Sequence, residues 1–436
     1  MTNTIIFVVC LTIGLIGFII YRLVAKKSAA TKSSNYKIFS NSPLFNIDYY
    51  PINQKVNRQL YQPIAEWSGR LIFPSKRQKE RFVEFEVQNA PEIYTHLIGK
   101  VIKLKWSNDA KVQEYVKRVS FDVKFTKQAK QSHKAGQVHP IRLDGLSQVD
   151  PLESLAGARP MDDVCVMLWQ PEVETNARGD TQLIINREPI QITGRFIGLV
   201  KIEAKLDSVG DLFRVCHYNK ASSCFDGGIE EVICIPQVPQ DVRGVARSSN
   251  KEIEKSPLNS QGWYIYGAPN AEGTFVVKAI EPRALVKVEP QQVIIKSSKV
   301  FEYLSREMWA KTKLKKGTGE TVLLAPNWAN AEKALSQWCL GDKALVMHLF
   351  GGIGGKKAEA PTWFPATGHF SYGIAEVIRD RITSELRFDI VYHQVYAHNL
   401  EAIISGSITW AAYMGSLWRG WMGNRPVSDI LVKYEP

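Results

Sequence analysis

Four of the eight histidines, His348, His369, His393 and His398, fall within fifty-one residues of one another, a density that invites a metal site or a general base. FDIVYHQVYAHN (388 to 399) holds two of them with two tyrosines, and GHFSYGIAEV lies just upstream. A zinc centre needs three or four ligands converging tetrahedrally. His393 and His398 are five residues apart, an odd separation, so a regular strand points them to opposite faces. His369 can pair with either across a hairpin, but no Asp, Glu or Cys stands at ligand spacing to complete a set. Neither a metal nor any other cofactor is expected. The enzymatic reading that remains is a hydrolase using His369 and His393 in a cleft beside the loop 350 to 368, with Cys339 as the candidate nucleophile.

The order Cys339, GDKALVMHLF, His369 resembles that of NlpC/P60-type peptidases. In those enzymes a helix N-terminus favours the thiolate. Cys339 instead follows the helical run NWANAEKALSQW, where the dipole opposes it. FGGIGGKK has a phosphate-loop look, yet Gly351 to Gly355-Lys356 is one residue short of GxxxxGK, Lys357 replaces Ser or Thr, and AEAPTWFP cannot open the required helix. Aromatics interleaved with lysines over 82 to 125 allow single-stranded nucleic-acid binding in principle. They alternate with charge as core residues do, so nucleic acid is not the expected partner.

These residues ride on a pattern of period two, which argues half-buried strands. Val83, Phe85 and Val87 alternate with Glu84 and Glu86; Ile102, Leu104 and Trp106 oppose Val101, Lys103 and Lys105; VSFDVKF continues the pattern with Val119, Phe121, Val123 and Phe125. Further strands are expected at VCVMLW, TQLIIN and QITGRFIGLVKIEA, and GWYIYGAPNAEGTFVVKAIEP reads as a hairpin turning at 268 to 273. Residues 245 to 262 read as a linker or long loop. In the C-terminal part a helix is expected over NWANAEKALSQWCLG, with Asn327 as its cap and Gly341 as its end, before strands ALVMHLF, SYGIAEVI and LRFDIVYHQVY. Phe388, Ile390, Tyr392 and Tyr396 should share a packed face. Trp410, Tyr413, Met414, Leu417, Trp418 and Trp421 make an apolar helical stripe, read as core or as an interfacial helix lying on a bilayer with Arg419 at its rim.

At 436 residues the chain has room for two or three domains. Its six cysteines form no tight pairs and read as reduced thiols. Ile5 to Tyr21 is seventeen residues without a charge, including Ile5, Phe7, Leu15, Phe18 and Tyr21, and the basic flank Arg22, Lys26 and Lys27 follows. That length nearly spans a bilayer core, and no charge precedes it as in a cleaved signal peptide. The basic flank places the bulk of the chain on the cytoplasmic side and the short N-terminus outside. Net charge is +12, much of it over 51 to 135, where 17 Lys/Arg stand against 8 Asp/Glu. Beside a membrane this excess would be drawn to anionic headgroups.

LVMHLFGGIGG, GHFSYGIAEV, YHQVYAHN, RGWMGNRPVSD and GWYIYGAP together resemble the extramembrane region of cyanobacterial and chloroplast proteins described as predicted Abi/CAAX-type (CPBP) intramembrane proteases. The resemblance runs from about residue 40 onward and is strongest over 341 to 436. It implies a thylakoid or plasma membrane and a polytopic membrane partner. Those proteases use paired glutamates followed by arginine, and later histidines, on membrane helices. Here the one Glu-Glu pair, Glu230 and Glu231, is followed by VICIPQVP, with no arginine at the family spacing. No catalytic residue is carried over.

The expected protein is mainly β with an α+β C-terminal domain: an N-terminal single transmembrane helix followed by antiparallel sheets or small barrels. The expected segments are an anchor over 1 to 26, a basic tether over 27 to 48, β-rich stretches over 49 to 250 and 251 to 316, and the α+β domain over 317 to 436. The expected role is a membrane-anchored, cytoplasm-facing binding or regulatory module, with the hydrolase as its alternative.

Overall fold

The computed structural model describes residues 16–20, 50–74, 81–122, 148–156, 164–176, 179–206, 211–226, 230–237, 250, 252–306, 318–350, 369–399, 402–417 and 427–433. Its strands, in chain order, are β1 (Gln62–Pro63), β2 (Trp67–Ile72), β3 (Val83–Asn89), β4 (Val101–Trp106), β5 (Phe121–Asp122), β6 (Gln148–Val149), β7 (Val164–Leu168), β8 (Glu172–Thr175), β9 (Thr181–Ile185), β10 (Ile190–Ile192) and β11 (Phe196–Lys205). They continue with β12 (Leu212–His217), β13 (Glu230–Cys234), β14 (Trp263–Pro269), β15 (Phe275–Pro282), β16 (Gln292–Ile294), β17 (Gly319–Leu324), β18 (Lys343–Phe350), β19 (His369–Arg379), β20 (Leu386–Asn399), β21 (Ala402–Thr409) and β22 (Val427–Val432). The longer helices are α1 (Ala110–Val119), α2 (Pro151–Ala156), α3 (Ser297–Arg306) and α4 (Ala331–Ser336). The protein is mainly β, as its alternation predicts.

Five strands close on themselves. β11 pairs with β12, β12 with β13, β13 runs parallel to β15, β15 returns against β14, and β14 closes on β11. This connectivity is shared with the five-stranded Greek-key barrels of the OB type. Phe213, Val215, Ile233, Ile265 and Val277 fill the interior. The β14–β15 hairpin turns where the sequence puts it, with Asn270 Oδ1 accepting the Thr274 amide at 2.9 Å.

β1 adds to β11, β5 and β6 pair with each other, and the remaining strands form a fourteen-stranded mixed sheet in the order β16-β17-β22-β18-β19-β20-β21-β10-β7-β2-β3-β4-β9-β8. Its two halves join where β10 runs parallel to β21, so neither sheet keeps to one of the sequence-expected segments. In the half around β2, β3 and β4 the apolar side chains Leu71, Val83, Phe85, Val87 and Leu104 are fully buried. α2 closes that core, its first turn fixed by a capping box in DPLE (150 to 153). Asp150 Oδ1 accepts the amides of Leu152 and Glu153 at 2.8 and 3.0 Å, and Glu153 Oε2 accepts the Asp150 amide at 3.2 Å.

Four expectations are corrected. Val119 ends α1 instead of opening a strand, because Asp109 caps the Lys111 and Val112 amides and Val112, Tyr115 and Val116 fall at helical spacing. Of VSFDVKF only Phe121 and Asp122 are seen as strand, and 123 to 125 lie outside the described residues. Asn330, not Asn327, caps α4, accepting the Lys333 amide at 2.8 Å. The stretch 253 to 261, expected as linker, forms two 3-10 turns packed on the barrel. The C-terminal aromatic stripe is helical, among the described residues, only over the single turn Trp410–Tyr413, while Trp410, Tyr413, Met414 and Leu417 are buried as its core reading expects and not as an interfacial helix would be. Trp418, Arg419 and Trp421 lie outside the described residues.

Of the expected anchor only Ile16 to Ile20 is described; it is helical and exposed. Among the described residues no helix is long and apolar enough to cross a membrane. Ile5, Phe7, Leu15, Tyr21, Arg22, Lys26 and Lys27 lie outside them.

Candidate functional site

Strands β18, β19 and β20 carry the residues the sequence singles out. On their inner face Val346, His348, Ala375, Phe388, Ile390 and Tyr392 are buried, and Tyr413 donates to or accepts from Ser371 at 2.7 Å. This is the packed face expected from Phe388, Ile390 and Tyr392; the side chain of Tyr396 lies outside the description. The outer face presents three registered rows. Lys343 stands opposite Glu376 and Glu376 opposite Asp389; Leu345 opposes Ile374, which opposes Val391; Met347 opposes Tyr372, which opposes His393. Leu345 and Ile374 are each 43% exposed and Tyr372 49%.

His393 continues its row into β21, where its Nδ1 lies 2.9 Å from Ser407 Oγ. Glu188, just before β10, accepts the Ser407 amide at 3.1 Å through Oε1 and the Tyr115 hydroxyl at 3.0 Å through Oε2. Burial pushes the Glu188 carboxyl above the usual range, against the hydrogen bond from Tyr115 and the nearby His393. Burial, and then the adjoining Glu188, lifts Tyr115 to about 12.

Serine, histidine and glutamate thus meet, but not as an acyl-transfer triad. A working triad runs acid to imidazole to hydroxyl, with the hydroxyl open to substrate. Here the acid and the imidazole both attach to the serine, which is 3% exposed in mid-strand. Backbone register sets His369 opposite Phe350 in β19, with its side chain outside the description. Cys339 is exposed in the turn after α4, its amide donating to Asp342 Oδ2 at 2.8 Å. From Lys343, just beyond that turn, to Met347, level with His393, the strand climbs four residues, about 13 Å. Cys339 and His393 are therefore not brought to one centre. His398 has its backbone in β20, with its side chain outside the description.

Two other clusters of ionisable groups were not visible in the sequence. Inside the barrel, Tyr61 donates to Glu231 Oε2, and His217 Nε2 meets the same oxygen at 2.8 Å. Tyr61 stacks on Phe275 at 4.0 Å between centroids, and Gly198 leaves room for it, since a Cβ there would sit 3.0 Å from the tyrosine ring. This places Glu231 of the Glu-Glu pair in a plug at the barrel end. At the junction of barrel and sheet, Tyr264 donates to Asp380, Tyr266 donates to Glu281 at 2.6 Å, and Arg387 lies 3.7 Å from Glu281 and 3.8 Å from Asp380. Tyr61, His217 and Glu231 satisfy one another, whereas among the described residues Arg387 Nε finds no hydrogen-bond acceptor in the second cluster. Among the described residues no group of three or more His, Cys, Asp or Glu is placed to hold a metal ion.

The apolar rows of the outer face did leave a sequence signal. KALVMHLF and SYGIAEVI are apolar on both alternating faces, the pattern of a strand covered on both sides. Glu188, Ser407 and Tyr115 left none, since strand pairing across more than two hundred residues assembles them. Comparison with known proteins adds no assignment: no family model, curated protein or solved structure matches the chain.

Proposed function

We propose that the chain is a membrane-anchored, cytoplasm-facing binding or regulatory module acting beside a membrane partner. The observation that carries this reading is the outer face of β18–β20, where Leu345, Ile374 and Tyr372 are exposed in register while the ionisable groups nearby are engaged with one another. Exposed, contiguous apolar side chains on a folded surface mark interaction sites. The uncharged stretch Ile5 to Tyr21 supports the membrane location, and its basic flank the orientation. The resemblance to the accessory region of CAAX-type protease proteins supports a polytopic membrane protein as the partner. The basic excess over 51 to 135 supports contact with anionic headgroups.

Fractionation of cells producing the full chain tests the location. The protein should sediment with membranes and resist a high-salt wash; release into the soluble fraction without detergent or salt overturns it. Affinity purification from detergent-solubilised membranes should then recover a polytopic protein. The alternative reading, a hydrolase working through the C-terminal histidines, has to find a nucleophile other than Ser407, which is buried beside His393. That reading requires ester or amide hydrolysis by the purified chain that disappears in His393→Gln.

A further inference from the structure

β8 ends the large sheet: among the described residues β9 lies on one side of it and no strand on the other. The Asn176 amide donates to the Asp180 carbonyl at 3.0 Å and closes the β8–β9 hairpin, so the antiparallel pattern bonds Glu174 to Gln182 and Glu172 to Ile184. The intervening peptide groups, those of Val173 and Thr175, therefore point away from β9 along the free edge. Glu172, Glu174 and Thr175 are exposed there, and Val173 is half-buried against the core around β2, β3 and β4. Glu172 and Glu174 share one face of the sheet. Among the described residues their partners are neutral amides, Asn186 Nδ2 at 3.3 Å and Gln182 Nε2 at 2.7 Å. Lys103, opposite Gln182 on β4, lies instead over the Phe82 ring, 4.9 Å from its centroid.

We infer that this edge takes an extended segment of a partner protein as a further strand, one with Lys or Arg at alternate positions. A strand bonded to Val173 and Thr175 sets side chains i and i+2 directly opposite Glu172 and Glu174, the β-augmentation mode. Two cations there meet two carboxylates that lack a counter-charge, and the apolar residue between them extends the cover over Val173. A second copy of the chain fits badly. Antiparallel pairing of β8 with itself through Val173 and Thr175 sets Glu174 opposite Glu174, or Glu172 opposite Glu174, in the registers centred on the strand, and like charges directly opposite destabilise a sheet. The inference rests on the binding-module reading but uses a different surface from β18–β20, so failure at β8 leaves that reading to stand or fall on the co-purified partner.

The test uses the purified full chain in a non-ionic detergent and a fluorescent twelve-residue peptide alternating lysine with valine. Anisotropy should show saturable binding that weakens at least tenfold when glutamates replace the lysines. N-methylation at the valines, whose amides would face β8, should abolish binding, and N-methylation at the lysines should leave it. Thr175→Pro removes an outward amide while sparing the bonds to β9, and should weaken binding at least tenfold with unchanged melting temperature. Glu172→Lys with Glu174→Lys should reverse the preference between the lysine and glutamate peptides. Equal binding of the lysine and glutamate peptides, equal binding of the two methylated peptides, or binding untouched by Thr175→Pro overturns the proposal. So does a dimer of the full chain in sedimentation that Thr175→Pro dissociates, which would make the edge a contact between copies.

Discussion

Glu281 is 3% exposed, accepts from Tyr266, and has Arg387 as its counter-charge. Burial, the largest influence, lifts its carboxyl to about 7, although Arg387 and Tyr266 pull it down. A carboxyl raised on folding binds its proton more tightly in the native state. Its ionisation therefore destabilises the fold as pH rises from about 4.5 to about 7, and below that window the penalty is absent. The shift corresponds to about 3 kcal/mol. Glu153 is likewise lifted to about 7, by burial and then by Asp150, and acts with the same sign. Glu281→Gln keeps the acceptor for Tyr266 and removes the charge. Urea unfolding at pH 5 and pH 8 should show a smaller loss of stability at the higher pH than in the unaltered protein, and Glu281→Gln with Glu153→Gln a smaller loss still. Equal losses in all three would mean that neither carboxyl is raised. In the barrel, Tyr61→Phe deletes the hydroxyl that donates to Glu231, and the urea midpoint should fall by about 1 kcal/mol in stability.

At the scale of elements, much was legible. Alternation located β3, β4, β7, β9, β11 and β18 to β20 because each buries one face against a core, and GAPNAEG fixed the β14–β15 turn. What failed were segments with two compatible periods. Val119 both opens the alternating run VSFDVKF and completes the helical spacing of Val112, Tyr115 and Val116, and Asp109 decides for helix by satisfying two otherwise open amides. Asp109→Ala should then cost about 1 kcal/mol, measured by thermal or urea unfolding, and no loss would assign α1 to packing alone. Gly406 is the second element-level test, since a Cβ there would meet Leu155 Cδ2 at 2.7 Å and α2 packs on β21. Gly406→Val overpacks that contact and should lose about 1 to 3 kcal/mol. The candidate site itself was half legible: His393 and its tyrosine neighbours stood out as residue types, but Ser407 reaches His393 across the β20–β21 pair and Glu188 joins Ser407 only through the parallel β10–β21 pairing.

For the whole molecule, the charge-free stretch at the amino end and the folded body make separate contributions. Ile16, Phe18, Ile19 and Ile20 expose 53, 56, 49 and 55% of their surface, an apolar load that water disfavours and a bilayer core accepts. The body exposes Leu345, Ile374 and Tyr372 on the outer face of β18–β20. If the amino-terminal stretch alone holds the chain to the membrane, charges placed within it should release the protein without unfolding it. Leu15→Arg with Phe18→Arg puts two charges near the middle of the stretch, each costing about 2.5 to 3.5 kcal/mol for insertion at a helix centre. Fractionation of the full-length variant should find most of it soluble at ordinary ionic strength, and its melting temperature should match that of the unaltered chain. If the variant stays in the membrane pellet and leaves only with high salt, the basic stretch 51 to 135 carries the attachment. If it stays through salt and leaves only when Ile374→Asp is added, the outer face of β18–β20 carries it, and the amino-terminal stretch is not the anchor.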